Sequence, residues 1–369
     1  MITVKLVRTA RDRREFLNFP LKLYKGCPYF VPPLYGDEKK IFSKTYVYND
    51  TCEAEYFLAE KDGKTAGRIS AIIQRAHNEK TGERRARFTR FDSVDDQDVA
   101  SALFAAAEDW ARERGIDTVC GPLGFSDLER EGLLIDGFDR LSTFEEQYNY
   151  SYYQKLIEGC GYEKEVDWVE SMIYAPEDTG DIERSVEFLL KRYRLRIGEA
   201  KNTADFIKKY ADGIFELLDR SYERIYGTVP FTEGMKKMMI DNFRIMIKTD
   251  YVGVVLDEND RIVCFAVCFP SIAGALAGTT GRLTPPTLMK LLRAVKRPDV
   301  LDFGLMGVDP DWENRGVSGI FIGAIAEMLK KVDHAETNLN LEDNYSIRNF
   351  WKHFGAVEHK RRRCFVKKI

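Results

Sequence analysis

The sequence lacks the residue groupings on which several common kinds of protein chemistry depend. It has four histidines, His77, His334, His353 and His359, and their spacing is not that of a zinc site. It contains no G-x-S-x-G nucleophile elbow, no Walker A loop and no dinucleotide-binding glycine fingerprint. We therefore expect no metal site, and the sequence gives no support for an elbow-type hydrolase, a P-loop nucleotidase or a dinucleotide-dependent enzyme.

Long apolar runs and a large excess of one charge are also missing. The most apolar stretch, residues 262–277, is interrupted by Pro270 and Gly274 and is too short to span a bilayer. The seven cysteines include no C-x-x-C pair, and the N-terminus reads as a charged strand and not as a signal peptide. The net charge of -3 gives no general attraction to nucleic acid or to an anionic membrane. These features predict a cytoplasmic protein with reduced thiols, no nucleic-acid partner and no membrane partner.

What the sequence does contain is a weak internal repeat. A strand at residues 2–7, followed by residues 9–12 and a helical pattern, has a counterpart in a strand at residues 195–199, followed by residues 202–205 and another helical pattern. Hairpin patterns follow in both halves, around the turns at residues 61–64 and 257–260. Each half then continues as strand, helix, strand, helix and strand. The order β–α–β–β–β–α–β–α–β therefore occurs twice and predicts two α/β domains, each a mixed β-sheet flanked by helices.

The repeat also sets the predicted domain boundaries. We expect an N-terminal domain over residues 1–175, a linker helix over residues 176–193 and a C-terminal domain over residues 194–369. The chain length fits two domains of ordinary size, and a hydrophobic content of 44% is enough to bury two cores.

The C-terminal half carries a motif that resembles that of the GNAT family of acyl-CoA N-acyltransferases. The predicted strand DFGLMGV (residues 302–308) runs into DPDWENRGVSG (309–319) and then directly into a helix. This resembles the family's strand, (Q/R)-x-x-G-x-(G/A) turn and helix, and residues 342–355 resemble its last helix. The whole chain is also similar to a bacterial family with two GNAT domains in tandem. The segments that carry this second resemblance are residues 29–33, 67–72, 77–78, 95–97, 121–122, 132–134 and 148–149.

The resemblance implies that the C-terminal domain binds acetyl-CoA as co-substrate. A glycine-containing turn at a helix N-terminus offers backbone N–H groups to a pyrophosphate, and the helix dipole adds to the attraction. Pantetheine would lie along the strand as an added strand, with one side chain of the last helix on the opposite wall. The predicted cofactor-binding residues are Met306, Gly307, Val308, Arg315, Gly316, Val317, Ser318, Gly319 and Asn344. Glu313 departs from the family pattern, because it places a negative charge near the phosphates. The alternative is a plain strand–turn–helix connection that has lost CoA.

The corresponding turn of the N-terminal half, residues 93–98, has no glycine and three carboxylates. These side chains would cap the following helix but repel a pyrophosphate. We therefore expect the N-terminal domain not to bind CoA.

Two catalytic candidates follow from the same resemblance. Asp302 lies where one branch of the family carries a basic glutamate, and strand alternation predicts that Asp302, Gly304 and Met306 share one face. The alternative for Asp302 is a solvated residue at the start of a strand. The family's frequent acid, a tyrosine in the last helix, is Trp351 here, and an indole cannot protonate a thiolate. Tyr345 is a substitute on chemical grounds alone, and the alternative is a surface tyrosine.

Further segments allow alternative readings. Residues 274–297, which end in a basic helix, form either a lid over the acceptor or a packed insertion. The tyrosines at positions 148, 150, 152 and 153, together with Phe144, either line an acceptor pocket or belong to a core or an interface.

The function expected from these features is transfer of an acyl group, acetyl in the first instance, from CoA to an amine of a small molecule or a peptide. A degenerate scaffold that binds a metabolite is one alternative. A Fem-type aminoacyl transferase, which also pairs two GNAT folds, is another, although the coiled-coil arm and basic channel of such proteins are not evident in this sequence.

Overall fold

The computed structural model describes residues 1–178, 180–223, 225–313 and 315–369. The chain divides into two compact units. Unit 1 comprises Met1–Val169, Ile272–Leu291 and His359–Ile369, and unit 2 comprises Glu170–Ser271 and Leu292–Glu358. Two segments from the C-terminal half of the sequence are therefore part of unit 1.

The helices and strands of the first half of the chain follow the order read from the sequence. They are β1 Ile2–Leu6, α1 Ala10–Leu23, α2 Tyr35–Glu38, β2 Cys52–Lys61, β3 Lys64–Gln74, α3 Arg75–Thr81, β4 Arg85–Ser93, α4 Gln97–Arg112, β5 Thr118–Gly121, β6 Leu133–Asp136, α5 Tyr152–Gly159 and β7 Glu163–Ile173.

The second half repeats that order with an additional helix-containing segment before its central strand. Its elements are α6 Gly180–Tyr193, β8 Arg196–Ile197, α7 Thr203–Ser221, α8 Glu233–Phe243, β9 Val252–Leu256, β10 Ile262–Pro270, α9 Ala273–Leu276, α10 Pro285–Lys296, β11 Val300–Val308, α11 Ser318–Leu329, β12 His334–Thr337, β13 Asn340–Leu341, α12 Tyr345–Trp351 and β14 Val357–Lys368.

The sheet of unit 1 has the strand order β1-β2-β3-β4-β5-β14, with β6 also paired to β14. The β2–β3 hairpin turns at Asp62 and Gly63, both with positive φ, as a tight two-residue hairpin connection requires. Helix α4 packs on this sheet, and the Phe104 ring meets Phe88 edge-on at a centroid distance of 5.0 Å. Residue Phe365 of β14 is fully buried in the same core, so the last strand contributes to unit 1.

Unit 2 has the strand order β12-β11-β10-β9-β8, in which β11 and β12 run parallel and the other neighbours run antiparallel. Helix α11 is apolar nearly all round and buries Ile320, Phe321 and Ile325 against this sheet. Each unit is thus a mixed β-sheet flanked by helices, and the predicted fold class is confirmed. Among the described residues, no helix combines the length and the apolarity needed to cross a membrane.

Candidate functional site

A β-bulge near the middle of β11 marks the candidate site of unit 2. The pairing of β10 with β11 shifts between Val267 and Cys268, which leaves Gly304 as an extra residue on β11. In the part of the chain that the structure describes, β12 pairs with β11 from Val300 to Phe303. The two parallel strands therefore pair only before the bulge, and among the described residues β12 does not pair with the second half of β11.

The bulge also changes which face each side chain occupies. Leu301, Phe303 and Met306 contact the core of unit 2, whereas a Cβ placed on Gly304 would lie 2.3 Å from a ring carbon of Phe269. The predicted alternation, which put Met306 on the face of Asp302 and Gly304, is wrong beyond this point. The physical reason is the extra residue, since one inserted residue reverses the alternation of all that follow.

The second half of β11 directs two residues' backbone groups away from β10. The Asp309 amide donates to the Val263 carbonyl of the preceding hairpin strand at 2.8 Å. Because backbone groups alternate in direction along a strand, Met306 and Val308 direct theirs to the opposite side. An extended ligand placed along this edge would find amide donors and carbonyl acceptors at every second residue.

A tyrosine hydroxyl already lies on this edge. Tyr222, directly after α7, donates from its Oη to the Met306 carbonyl oxygen at 2.9 Å. The preceding residue, Ser221, is close to Gly307 in the same strand. The C-terminal end of α7 therefore places a protic side chain beside the central residues of the candidate site.

The turn after β11 exposes the N-terminus of α11. Gly316 has φ of +76°, a left-handed conformation that favours glycine. Among the described residues, no side chain caps α11, although the Gly319 amide donates to the Gly316 carbonyl at 2.9 Å. Val317 is buried in the core, which fixes the position of its peptide group, and Ser318 is half-buried. An uncapped helix start of this kind attracts an anion.

Two glycines of α11 have a packing role. A Cβ on Gly319 would lie 3.1 Å from Leu189, and a Cβ on Gly323 would lie 2.7 Å from Val186. Both partners belong to α6, so the small residues allow α6 and α11 to approach closely. The predicted linker helix, α6, therefore packs against α11, the helix that follows the glycine-containing turn.

Charges of both signs surround the turn. Asp309 is buried and accepts two hydrogen bonds from Arg220 of α7, at 2.8 and 2.9 Å. The Arg315 guanidinium lies over the Trp312 ring, 4.8 Å from its centroid, and remains exposed. Glu313 is exposed as well. Arg220 thus neutralises the buried Asp309. The exposed charged residues closest in sequence to Gly316 are Arg315 and Glu313.

Asp302 lies on β11 before the bulge and is only 4% exposed. Its neighbours across the strands are Phe269 in β10 and Glu336 in β12. Phe269 in turn stacks on Phe243 of α8, with ring centroids 4.8 Å apart. The carboxyl group is thus buried between an aromatic pair and a second acidic residue, and it is not the solvated residue of the alternative interpretation.

The β10 thiols are unsuited to act as nucleophiles. Burial raises the pKa of Cys268, and the Asp302 carboxylate raises it further. Burial also raises the pKa of Cys264. Both thiols therefore stay protonated at neutral pH, which argues against a cysteine-bound acyl intermediate on this strand.

The last helix of unit 2 holds three residues named in the sequence analysis. Asn344 caps α12, with its Oδ1 accepting from the Ile347 amide at 3.2 Å. Tyr345 follows and is 68% exposed. Trp351 is buried, meets the Phe303 ring edge-on and donates from its indole N–H to Asn340. Trp351 thus belongs to the core.

The equivalent strand edge of unit 1 is occupied by side chains. The Val94 amide donates to the Ala66 carbonyl at 2.9 Å, which matches the bond that Asp309 makes in unit 2. Ser93 is therefore the counterpart of Val308. Its amide donates to the Tyr153 hydroxyl at 3.1 Å, and its carbonyl accepts from the Tyr152 hydroxyl at 2.8 Å.

The side chain before Ser93 anchors a buried polar network in unit 1. Asp92 accepts hydrogen bonds from Tyr24 at 2.9 Å and from Arg68 at 2.8 Å. Burial raises the pKa of the Asp92 carboxyl, and the Arg68 guanidinium opposes this shift. Tyr148 and Tyr153 are likewise buried in the core, so both are core residues, as one of the two interpretations of these tyrosines proposed.

The helix start that follows is also filled. Asp96 caps α4 by accepting from the amides of Asp98 and Val99 at 3.0 and 3.3 Å, and its carboxylate contacts Lys61. These are the donors that an anion would use, so unit 1 supplies its own anion at this position.

Sequence reasoning missed two residues of the unit 2 site, Tyr222 and Arg220. Both lie at the end of α7, more than eighty positions before the residues that they contact. Their spacing carries no signal, because only the fold brings α7 to β11. A comparison of the two halves could have drawn attention to Tyr222, since Tyr24 directly follows α1 in the first half as Tyr222 directly follows α7 in the second.

Comparison with known proteins places this geometry in context. No established family profile matches the chain. Protein YghO of Escherichia coli (strain K12) is 28% identical over 382 residues, which cover 99% of this chain and 95% of that protein. A bacterial ceramide synthase of Caulobacter vibrioides (strain NA1000 / CB15N) is 27% identical over 381 residues, covering 100% of this chain and 98% of that protein.

Among solved structures, a tandem GNAT protein from the clavulanic acid biosynthesis pathway, without acetyl-CoA, is similar along the whole chain. The match covers 99% of this chain and 98% of that one, with a TM-score of 0.58 and 14% sequence identity. At this level of identity the similarity shows the fold. The resemblance to GNAT proteins read from the sequence is confirmed at that level.

Proposed function

Because the chain has the fold of tandem GNAT proteins, we propose that it is an acyl-CoA-dependent N-acyltransferase whose co-substrate binds to unit 2. The observation that carries the proposal is the combination of the bulged strand β11 with the uncapped turn that follows it. Within one unit, these features provide a strand edge for an extended amide-containing chain and a helix N-terminus for its phosphates.

In this proposal the pantetheine arm lies along Met306, Gly307 and Val308. The pyrophosphate meets the backbone N–H groups of Gly316, Val317 and Ser318, and Arg315 adds a positive charge. The Gly319 amide already donates to the Gly316 carbonyl. Asn344 already caps α12, so its side chain would have to serve both the cap and the ligand. The proposed co-substrate is acetyl-CoA or a longer acyl-CoA.

The reaction forms one bond and breaks another. The amine nitrogen of the acceptor attacks the thioester carbonyl, a C–N bond forms, and the C–S bond breaks to release CoA as thiolate. A base must take a proton from the attacking nitrogen, and an acid must return one to the sulfur. Asp302 is the proposed base. Tyr222 and Tyr345 are the two candidate acids, and Tyr222 is the one that contacts β11 beside the proposed pantetheine position.

A more specific acceptor is proposed from one relative. The Caulobacter vibrioides protein is a ceramide synthase and is similar over the full length of this chain. A ceramide is the amide of a fatty acid with a long-chain amino alcohol. We propose a long-chain amino alcohol as acceptor and a long-chain acyl group as donor, with a small-molecule or peptide amine and an acetyl group as the alternative.

A direct assay separates these possibilities. The purified chain is incubated with acetyl-CoA or palmitoyl-CoA, and with sphinganine, spermidine or a short peptide as acceptor. Release of the CoA thiol is followed together with amide formation by mass spectrometry. The proposal expects amide product and free CoA in equal amounts for at least one pair, with palmitoyl-CoA and sphinganine giving the highest rate.

Two results would count against it. Binding of acyl-CoA without product for every acceptor would favour a metabolite-binding scaffold. Failure to bind either acyl-CoA at millimolar concentration would remove the proposed co-substrate altogether.

A further inference from the structure

Helix α10 has an apolar side that faces solvent. Thr287 and Val295 are buried and define its inner side. Leu288, Met289 and Leu292 are 44%, 71% and 52% exposed. Since residues four apart on a helix are neighbours, Leu288 and Leu292 form a strip with Met289 beside it. Leu283, just before the helix, is 59% exposed and adds to the apolar surface.

Apart from Pro285 and Pro286, the other exposed residues of α10 are basic. Lys290, Arg293, Lys296 and Arg297 are all exposed. At 100° per residue, Lys290, Arg293 and Arg297 fall next to the apolar strip, and Lys296 falls within it. Residues 282–298 contain no acidic side chain, although acidic residues outnumber basic ones by 59 to 56 in the whole chain. The positive charge of this segment is therefore local.

The start of the helix is held firmly by unit 1. The Arg282 guanidinium lies 3.7 Å from the centroid of the Tyr35 ring, and the Tyr35 amide donates to the Gly281 carbonyl at 2.9 Å. Thr284 accepts from the Thr287 hydroxyl or donates to it at 2.9 Å. The exposed leucines thus stand on an ordered helix that is anchored at its start.

We propose that α10, together with Leu283, binds the surface of an anionic lipid bilayer. An apolar strip with Lys and Arg along its border is the pattern of helices that lie in the plane of a membrane interface, where the apolar side enters the acyl boundary and the cations meet lipid phosphates. A nucleic acid would use the cations but leave three large apolar side chains in water. A second copy of the chain would bring like charges together along the same strip.

This inference goes beyond acyl transfer and does not depend on it. It differs from the expectation of no membrane partner, which was drawn from the net charge, because the net charge of the chain does not reflect the local charge of this basic amphipathic helix. Combined with a long-chain amine acceptor, it would bring the protein to the surface from which such an acceptor is taken.

The test is sedimentation of the full chain with vesicles. Phosphatidylcholine vesicles with and without phosphatidylglycerol are compared, at low and at high salt. We expect binding that requires phosphatidylglycerol and weakens with salt. Replacing Lys290, Arg293 and Arg297 by Gln should reduce vesicle affinity about 10²-fold, since each cation near an anionic surface contributes about fivefold.

A second variant tests the apolar side. The triple change Leu288→Ser, Met289→Ser and Leu292→Ser should abolish vesicle binding, whereas the matched change Ile245→Ser, at a residue 64% exposed outside α10, should not alter it. Circular dichroism and acetyl-CoA titration should be unchanged in both.

The outcomes that would overturn the proposal are separate from those of the enzymatic assay. One is failure of the unmodified chain to sediment with phosphatidylglycerol vesicles. Another is vesicle binding that persists in the triple serine variant. A third is light scattering that shows a dimer converted to a monomer by the serine changes, which would assign the strip to contact between copies of the chain.

Discussion

At the scale of single residues, Tyr222 is the candidate acid that only the structure identifies. We expect Tyr222→Phe to lower kcat by about 10²-fold or more, because the variant keeps the ring and loses the only proton it can give to the departing sulfur. The affinity for acyl-CoA should change by no more than a few-fold, since the Met306 carbonyl remains in place. Steady-state kinetics and calorimetric titration on one preparation measure both quantities.

Tyr345→Phe is the matched control for this experiment. It removes the same hydroxyl from a tyrosine that is 68% exposed. We expect its kcat to be unchanged. A loss of rate in Tyr345→Phe, with full activity in Tyr222→Phe, would reverse the assignment and support the candidate read from the sequence.

A carboxyl buried beside aromatic rings can accept a proton from an attacking amine only if it reaches the reacting nitrogen directly or through one water. Asp302→Asn keeps the shape of the side chain and removes its basicity, so kcat should fall ~10²–10⁴-fold. Binding of acyl-CoA should stay within a few-fold, because backbone groups are proposed to hold the pantetheine. Asp299→Asn, at an exposed residue of the preceding turn, makes the same chemical change and should have no effect. Equal rates in the two variants would remove Asp302 from the mechanism.

The roles of individual residues were predictable from the sequence where they depend only on neighbouring residues in the chain. The capping function of Asp96 follows from a carboxylate placed just before a helical pattern, and the structure shows that cap. The depth of Asp302 was not predictable, because burial of a polar residue depends on what packs over it. Phe243 and Phe269, which stack beside it, lie far apart in the sequence.

At the scale of elements, the turn between β11 and α11 makes the sharpest prediction. Gly316→Asp adds a negative charge and a side chain where the phosphates are proposed to bind, and we expect it to abolish acetyl-CoA binding. Gly316→Asn is the matched control, since asparagine has nearly the same shape, tolerates positive φ and carries no charge. It should retain measurable binding. Both variants should have native circular dichroism, and calorimetric titration would show the difference.

If Gly316→Asp binds acetyl-CoA as well as the unmodified chain, the phosphates lie elsewhere. In that case the uncapped helix start has another explanation.

The elements themselves were largely predictable, and the exception is instructive. Periodicity located β11 and α11 correctly, because one is an apolar extended run and the other an apolar run of helical length. Periodicity did not predict which side chains share a face of β11, because the bulge arises from the pairing with β10. The alternation of residues along β11 alone does not reveal it. The pairing that determines the site is thus a property of two strands and cannot be read from one.

At the scale of the whole molecule, the two units differ in how fully their strand edge and helix start are already occupied. In unit 1, Tyr152 and Tyr153 bond to Ser93, and Asp96 caps α4. We therefore expect one acetyl-CoA per chain. Calorimetric titration should give a stoichiometry near one, and Gly316→Asp should reduce it to zero. Two equivalent sites would contradict the asymmetry, as would heat that persists in the variant.

The tandem arrangement was predictable from the repeat, since the same order of elements occurs twice. Membership of single segments in each unit was not. Residues 272–291 and 359–369 pack with unit 1 although they follow most of unit 2 in the chain. The local sequence pattern of a segment does not show which unit the segment packs with, because a strand has the same pattern in either sheet.

The position of β14 has a consequence for how the protein is made. Unit 1 receives Phe365 and its neighbouring strand residues only after all of unit 2 has been synthesised. Until then, β5 presents an open edge, and the core around Phe88 and Phe104 is incomplete. A nascent chain paused after residue 300 therefore holds a first unit that lacks β14, and open strand edges are the surfaces through which such intermediates aggregate. Synthesis from the N-terminus thus does not complete unit 1 before unit 2 has been made.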